Sequence, residues 1–144
     1  PPNTTFASSA GAVVATAPFP FAGEVFGQVV SNFFDTGSPN PDYTGFVEAS
    51  NIGNAAGAVL AITYEGVFET VTGGSPDLAT LKSTVGGTVG GAPITAANAA
   101  TELDGYRFIR FRIRITYPTP PATASTAILP SVDSIAINYT VNCP

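Results

Sequence analysis

Two segments of strict period-two alternation, few stretches of helical pattern and dense Gly/Pro connections predict an all-β chain. The expected architecture is an antiparallel β-sandwich of jelly-roll or immunoglobulin-like type, with an extended N-terminal arm and at most short helices. The first segment is YRFIRFRIRITY at 106–117. There Ile109, Phe111, Ile113, Ile115 and Tyr117 share one parity, and Arg110, Arg112, Arg114 and Thr116 share the other. The second is VDSIAINYTV at 132–141, where Ile135, Ile137, Tyr139 and Val141 alternate with Ser134, Ala136, Asn138 and Thr140. Period two puts each apolar set on one face of a sheet and each polar set on the opposite face. A length of 144 residues fits one core.

The remaining elements follow in chain order. Residues 1–23 carry no charge and hold Pro18 and Pro20, which break a helix and deny a central strand its donors. They read as an extended arm and as a strand offered to a neighbouring subunit, ahead of a single β-sandwich domain at 24–144. Residues 24–34 place apolar groups on both parities, as in a strand covered on both faces. DTGSPNPDYTG at 35–45 reads as a loop, and a short strand is expected around Phe46 to Ala49. From Ala58 to Val71, Leu60, Ile62, Tyr64 and Phe68 oppose Thr63, Glu65 and Glu69, a half-buried strand bent at Gly66. Ser75 and Pro76 look like the cap and first position of a short helix through Leu78 and Leu81, and the paired glycines after it mark turns.

Composition excludes several function classes. The net charge is −5, with 5 Lys and Arg against 10 Asp and Glu, which disfavours a nucleic-acid partner. Histidine is absent, so Ser-His and Cys-His nucleophiles and His-based metal sites are ruled out. The single cysteine, Cys143, lies one residue from the end of the sequence, a poor place for a catalytic thiol. No uninterrupted apolar run reaches about 18 residues, so no membrane-spanning helix is expected. Low charge, the absence of Met and Trp, and a start at Pro1 read as a mature extracellular segment.

The pairing of DGYRFIRFRIRI at 104–115 with PSVDSIAINYTV at 130–141 resembles the closing strands of extracellular bacterial β-sandwich modules, pilus- or filament-type subunits among them. The resemblance covers about 40 residues. It implies an adhesive, carbohydrate-associated or structural unit with no catalytic residues of its own, and it carries over no functional site.

Candidate chemistry is sparse, and the reading is of a non-enzyme without cofactors. Asp35, Ser38, Asn40 and Asp42 lie close together in one loop, but they lack the central Gly turn and closing Glu of a calcium loop, so Asp35 and Asp42 are at most a weak calcium pair. Asn3 in NTT and Asn138 in NYT match the N-glycosylation triplet. The carboxylates Glu65, Glu69, Glu102 and Asp104 read as solvated edge and loop positions.

Arg110, Arg112 and Arg114 stand about 7 Å apart along one strand face and repel one another unless neutralised. Glu65 and Glu69 have the period to form the acidic side of a charged ladder within the chain; the alternative is an acidic partner outside it. Positive mean hydropathy and an uncharged arm holding Val13, Val14, Phe19 and Phe21 would expose apolar area that monomers avoid. Those four residues, with Val25 and Phe26, are therefore the expected assembly interface. The leading expectation is a secreted structural subunit that self-assembles into an extracellular filament or surface layer by N-terminal strand donation. Its partners would be copies of itself and, in second place, polysaccharide. A carbohydrate-binding or adhesive module using Tyr43, Tyr106 and the arginines, and a viral or phage coat subunit, are the alternatives.

Overall fold

A computed structural model describes residues 3–8, 25–53, 57–87, 89–117 and 130–141. Its seven strands form two antiparallel sheets, each built around one of the two alternating segments. In the first sheet β7 (Ser131–Thr140) runs between β1 (Asn3–Ser8) and β4 (Asp42–Asn51). In the second, β6 (Phe108–Tyr117) has β5 (Val59–Val67) along one side. Its other side is shared by β2 (Val25–Val30) and the two-residue β3 (Phe34–Asp35). Between β2 and β3 the Ser31 backbone N–H donates to the Phe111 carbonyl, and the Ser31 hydroxyl accepts from the Phe111 N–H, so pairing continues across the break.

The inner faces are those that alternation selects. Ile109, Phe111 and Ile113 of β6 share one buried core cluster with Ile135, Ile137 and Tyr139 of β7, and Ile115 is buried on the same parity. Fully burying such a side chain contributes about 1.5–3 kcal/mol, so these two strands supply much of the driving force. Aromatic contacts tie the sheets together: Phe46 and Tyr64 sit edge-to-face at 4.7 Å, and the Tyr64 hydroxyl donates to Glu48 of the opposite sheet at 2.7 Å.

Two bulges bend the period-two rule. Thr44 is skipped between the Tyr43–Tyr139 and Gly45–Asn138 pairs, which brings Tyr43 and Phe46 to the same face three residues apart. Asp133 is skipped in the same way, so Val132 is buried with Ile135. The predicted 35–45 loop therefore gives way to a strand from Asp42, ten residues long.

The 68–107 connection folds back along β5. Gly66 and Lys82 exchange backbone hydrogen bonds and Tyr64 N–H donates to the Ile94 carbonyl, which protects that sheet edge. A short helix, α1 (Ala99–Glu102), follows, and Ile94, Ala99 and Leu103 enter the core from this side. A 3-10 turn spans Leu78–Thr80 where a short helix is expected, but its cap is Asp77, whose side chain accepts from the Ala79 N–H. Pro76 instead bridges to Glu69. β5 runs through Gly66 in unbroken register with β6. A Cβ there would lie 3.0 Å from Leu103 and Tyr106, so glycine provides clearance for the returning chain. Phe68, expected inside, is 41% exposed because β5 ends at Val67, and its ring stacks on Tyr106 at 4.0 Å.

Candidate functional site

Three features stand apart from the core: the β1 seam, the charged face of β6 and a cleft at one end of the sandwich. The seam is an unbroken antiparallel register from Asn3 opposite Thr140 to Ser8 opposite Ile135. Among the described residues β1 is thus an edge strand of its own chain's sheet, and sixteen residues, 9–24, separate it from β2. Of the expected assembly residues, Val25 and Phe26 open β2 opposite Tyr117 and Thr116. Val13, Val14, Phe19 and Phe21 lie outside the described residues. Asn3 begins β1, and Asn138 is on the half-buried outer side of β7.

On the outer side of β6, register places Glu65 directly opposite Arg110 and diagonal to Arg112. Arg110 puts Nε and Nη2 on Glu65 Oε2 at 2.8 and 2.6 Å. Arg112 puts Nε and Nη2 on Oε1 at 3.1 and 2.9 Å. Phe33 covers the Arg110 guanidinium, 4.6 Å from its ring centroid. Glu65, expected to be solvated, is 4% exposed, and a buried carboxylate persists here because two guanidinium groups fill its lone pairs. The charges do not balance, since two arginines share one carboxylate.

The opposite imbalance occurs at the start of the strand. Arg107 grips Asp35 with Nε at 2.8 Å and Nη2 at 3.1 Å, and gives Nη1 to Glu69 at 2.8 Å. Glu69 therefore belongs to Arg107 and not to the Arg110–Arg112 ladder, because residue 69 lies beyond the end of β5. Arg114 faces Gln28 and Ala61 in register. Hydrogen bonding to Arg107 holds the Asp35 carboxyl below its usual range.

The paired Asp35 and Asp42 of the sequence have separate roles. Asp35 also accepts from the Gly37 N–H in an Asx turn, while Ser38 Oγ accepts from Asn40 N–H. Among the described residues no group of three His, Cys, Asp or Glu is placed to hold a metal. Nor is any helix among them long and apolar enough to cross a membrane.

Tyr43, considered above as a sugar contact, is 4% exposed, and its hydroxyl donates to the Tyr106 carbonyl at 2.5 Å. The Tyr106 ring is stacked under Phe68, with Lys82 Nζ 5.8 Å from its centroid. Tyr43 instead helps to form the cleft, which opens between Phe34 and Ile109 of one sheet and Tyr43, Ile137 and Tyr139 of the other. Asp35 and Thr36 also line it. No single stretch of sequence could reveal a site gathered from four strands of two sheets.

No protein-family model, curated protein or solved structure matches this chain.

Proposed function

We propose that the chain is a non-enzymatic, secreted structural subunit that assembles with copies of itself into an extracellular filament or surface layer, each copy giving β1 to the next. The observation that carries this reading is the β1–β7 seam: six residues in continuous register, joined to the rest of the sandwich through sixteen residues. Its main-chain hydrogen bonds are the same whether β1 comes from its own chain or from a neighbour, so exchange requires little beyond reach. Fully extended, residues 9–24 span on the order of 50 Å, enough to cross to an adjoining copy. The outer side of β7 presents Ser134, Ala136, Asn138 and Thr140, small uncharged groups suited to packing against another molecule, with the carboxylates of Asp42 and Asp133 at the margins of the row.

Polysaccharide is a second partner, favoured by one observation: the Arg110–Glu65–Arg112 cluster carries more positive than negative charge. The burial of Tyr43 removes one aromatic contact from that reading.

Deletion of residues 1–23 tests the assembly directly. Light scattering should find the truncated chain folded and monomeric, and a peptide of residues 1–10 in excess should cap assembly of the full chain. Truncated protein that assembles as the full chain does would refute strand donation.

A further inference from the structure

The charges of the strands are sorted by sheet. β1, β4 and β7 contain Asp42, Glu48 and Asp133 and no lysine or arginine. β2, β3, β5 and β6 contain Arg110, Arg112 and Arg114 against Asp35 and Glu65, and Asp35 is taken by Arg107, just before β6. Glu48 is on the inner side, where it accepts from the Tyr64 hydroxyl. Asp42 and Asp133 are exposed, and among the described residues neither makes an ion pair, so they set the sign of the first sheet's outer side. Arg110 and Arg112 share the one carboxylate of Glu65, which leaves the outer side of the second sheet positive.

Both outer sides also leave apolar groups uncovered. Register carries Val47 out beside Ala136, and it is 56% exposed. Val30 and Val59 stand out beside Arg112 and Thr116, 39% and 55% exposed. Arginine among apolar groups, with no lysine in either sheet, is the composition of a protein interface. Two copies can meet sheet to sheet in three ways. The second sheet on the second sets the arginine ladder against its own image. The first on the first brings Asp42 and Asp133 against a sheet that holds no cation. The mixed contact alone puts unlike charges together.

We propose that the outer side of the β2–β6–β5 sheet docks a second copy of this chain through that copy's β7–β4 outer side, so that sandwiches stack face to face in one direction. The contact is heterologous: each copy uses a different face toward each neighbour, and a stack of parallel copies stays open at both ends. This contact rests on the self-assembly proposed above. Copies linked at the β1 seam are held at a high local concentration, at which a face contact too weak to join free monomers still forms.

Sedimentation velocity of the full chain tests it with two pairs of substitutions at exposed positions outside the seam and outside the Glu65 cluster. Val47→Glu and Val47→Lys remove the same apolar group and differ in sign; Gln28→Lys and Gln28→Glu do the same opposite Arg114. Stacking predicts that Val47→Lys needs at least threefold more protein for half-assembly than Val47→Glu, and Gln28→Glu at least threefold more than Gln28→Lys. Both differences should shrink in about 0.5 M salt, where surface charges are screened beyond a few ångströms. The Val47 pair runs against net charge, since in a chain of −5 an added lysine lowers general repulsion. A first-on-first contact would make both Val47 variants weaken assembly and leave the Gln28 pair silent, and a second-on-second contact would leave the Val47 pair silent. Either result, or four variants that assemble alike, overturns stacking and leaves strand donation standing. A wild-type chain that stays monomeric overturns the assembly reading, and the stacking with it.

Discussion

The two central strands, β6 and β7, are alike on their inner sides and opposite on their outer ones. Each is ten residues long, is paired on both flanks, and buries isoleucines and an aromatic at alternate positions. Outside, β6 carries Arg110, Arg112 and Arg114, whereas β7 carries Ser134, Ala136, Asn138 and Thr140. The charged face is closed by the chain's own groups, with Glu65 beneath two guanidinium groups and Phe33 over one of them. The row on β7 contains no ion of its own that needs a counter-charge. The β6 face keeps more positive than negative charge, whereas the outward row of β7 itself carries none, with Asp42 opposite Thr140 and the bulge residue Asp133 at its margins.

Substitutions on the shared inner side should have the largest effect and should not distinguish the strands. Ile113→Ala and Ile137→Ala, both at fully or nearly fully buried sites, should each cost about 2–5 kcal/mol in urea unfolding. A cost confined to one strand would break the equivalence of the two inner faces.

The outer sides come next. Glu65→Gln leaves two guanidinium groups facing a neutral amide and should cost about 2–3 kcal/mol. That is below the value for a fully buried pair, because the arginine side chains are 22% and 34% exposed. Ala136→Arg on β7 should alter monomer stability by no more than about 0.5 kcal/mol. It should still lower the assembled fraction in sedimentation, since it puts an ion on the neutral face.

The smallest effect is electrostatic. Asp35 has a folded pKa below its ordinary 3.8, so its contribution is complete above that value and is lost as pH falls through the depressed folded value. Urea midpoints measured from pH 5 to 2.5 should therefore fall less steeply for Asp35→Asn than for wild type.

The sequence makes β6 and β7 legible because each alternates over many residues, and the sheet faces follow from parity alone. It misleads at β4, where the bulge at Thr44 breaks parity within a stretch rich in Asp, Pro and Gly, so that Tyr43 and Phe46 look unrelated. It also misleads at Gly66, whose missing Cβ is required by Leu103 and Tyr106, forty residues downstream. The matching of Glu65 to the arginines is visible in charge and period, yet which arginines it meets depends on the β5–β6 register. The cleft is the least legible feature. Phe34, Tyr43 and Tyr139 come from three strands, and Tyr139 reads in sequence as one more core residue of β7.

Exchange of β1 between copies is tested most directly by cross-linking across the seam in a Cys143→Ser background. Thr5 and Asn138 are register partners, so one population carries only Thr5→Cys and a second, with a size tag, carries only Asn138→Cys. On mixing and mild oxidation, strand donation predicts covalent pairs that join one chain of each kind. A disulfide that forms only within a chain carrying both cysteines, with no mixed pairs, would contradict it.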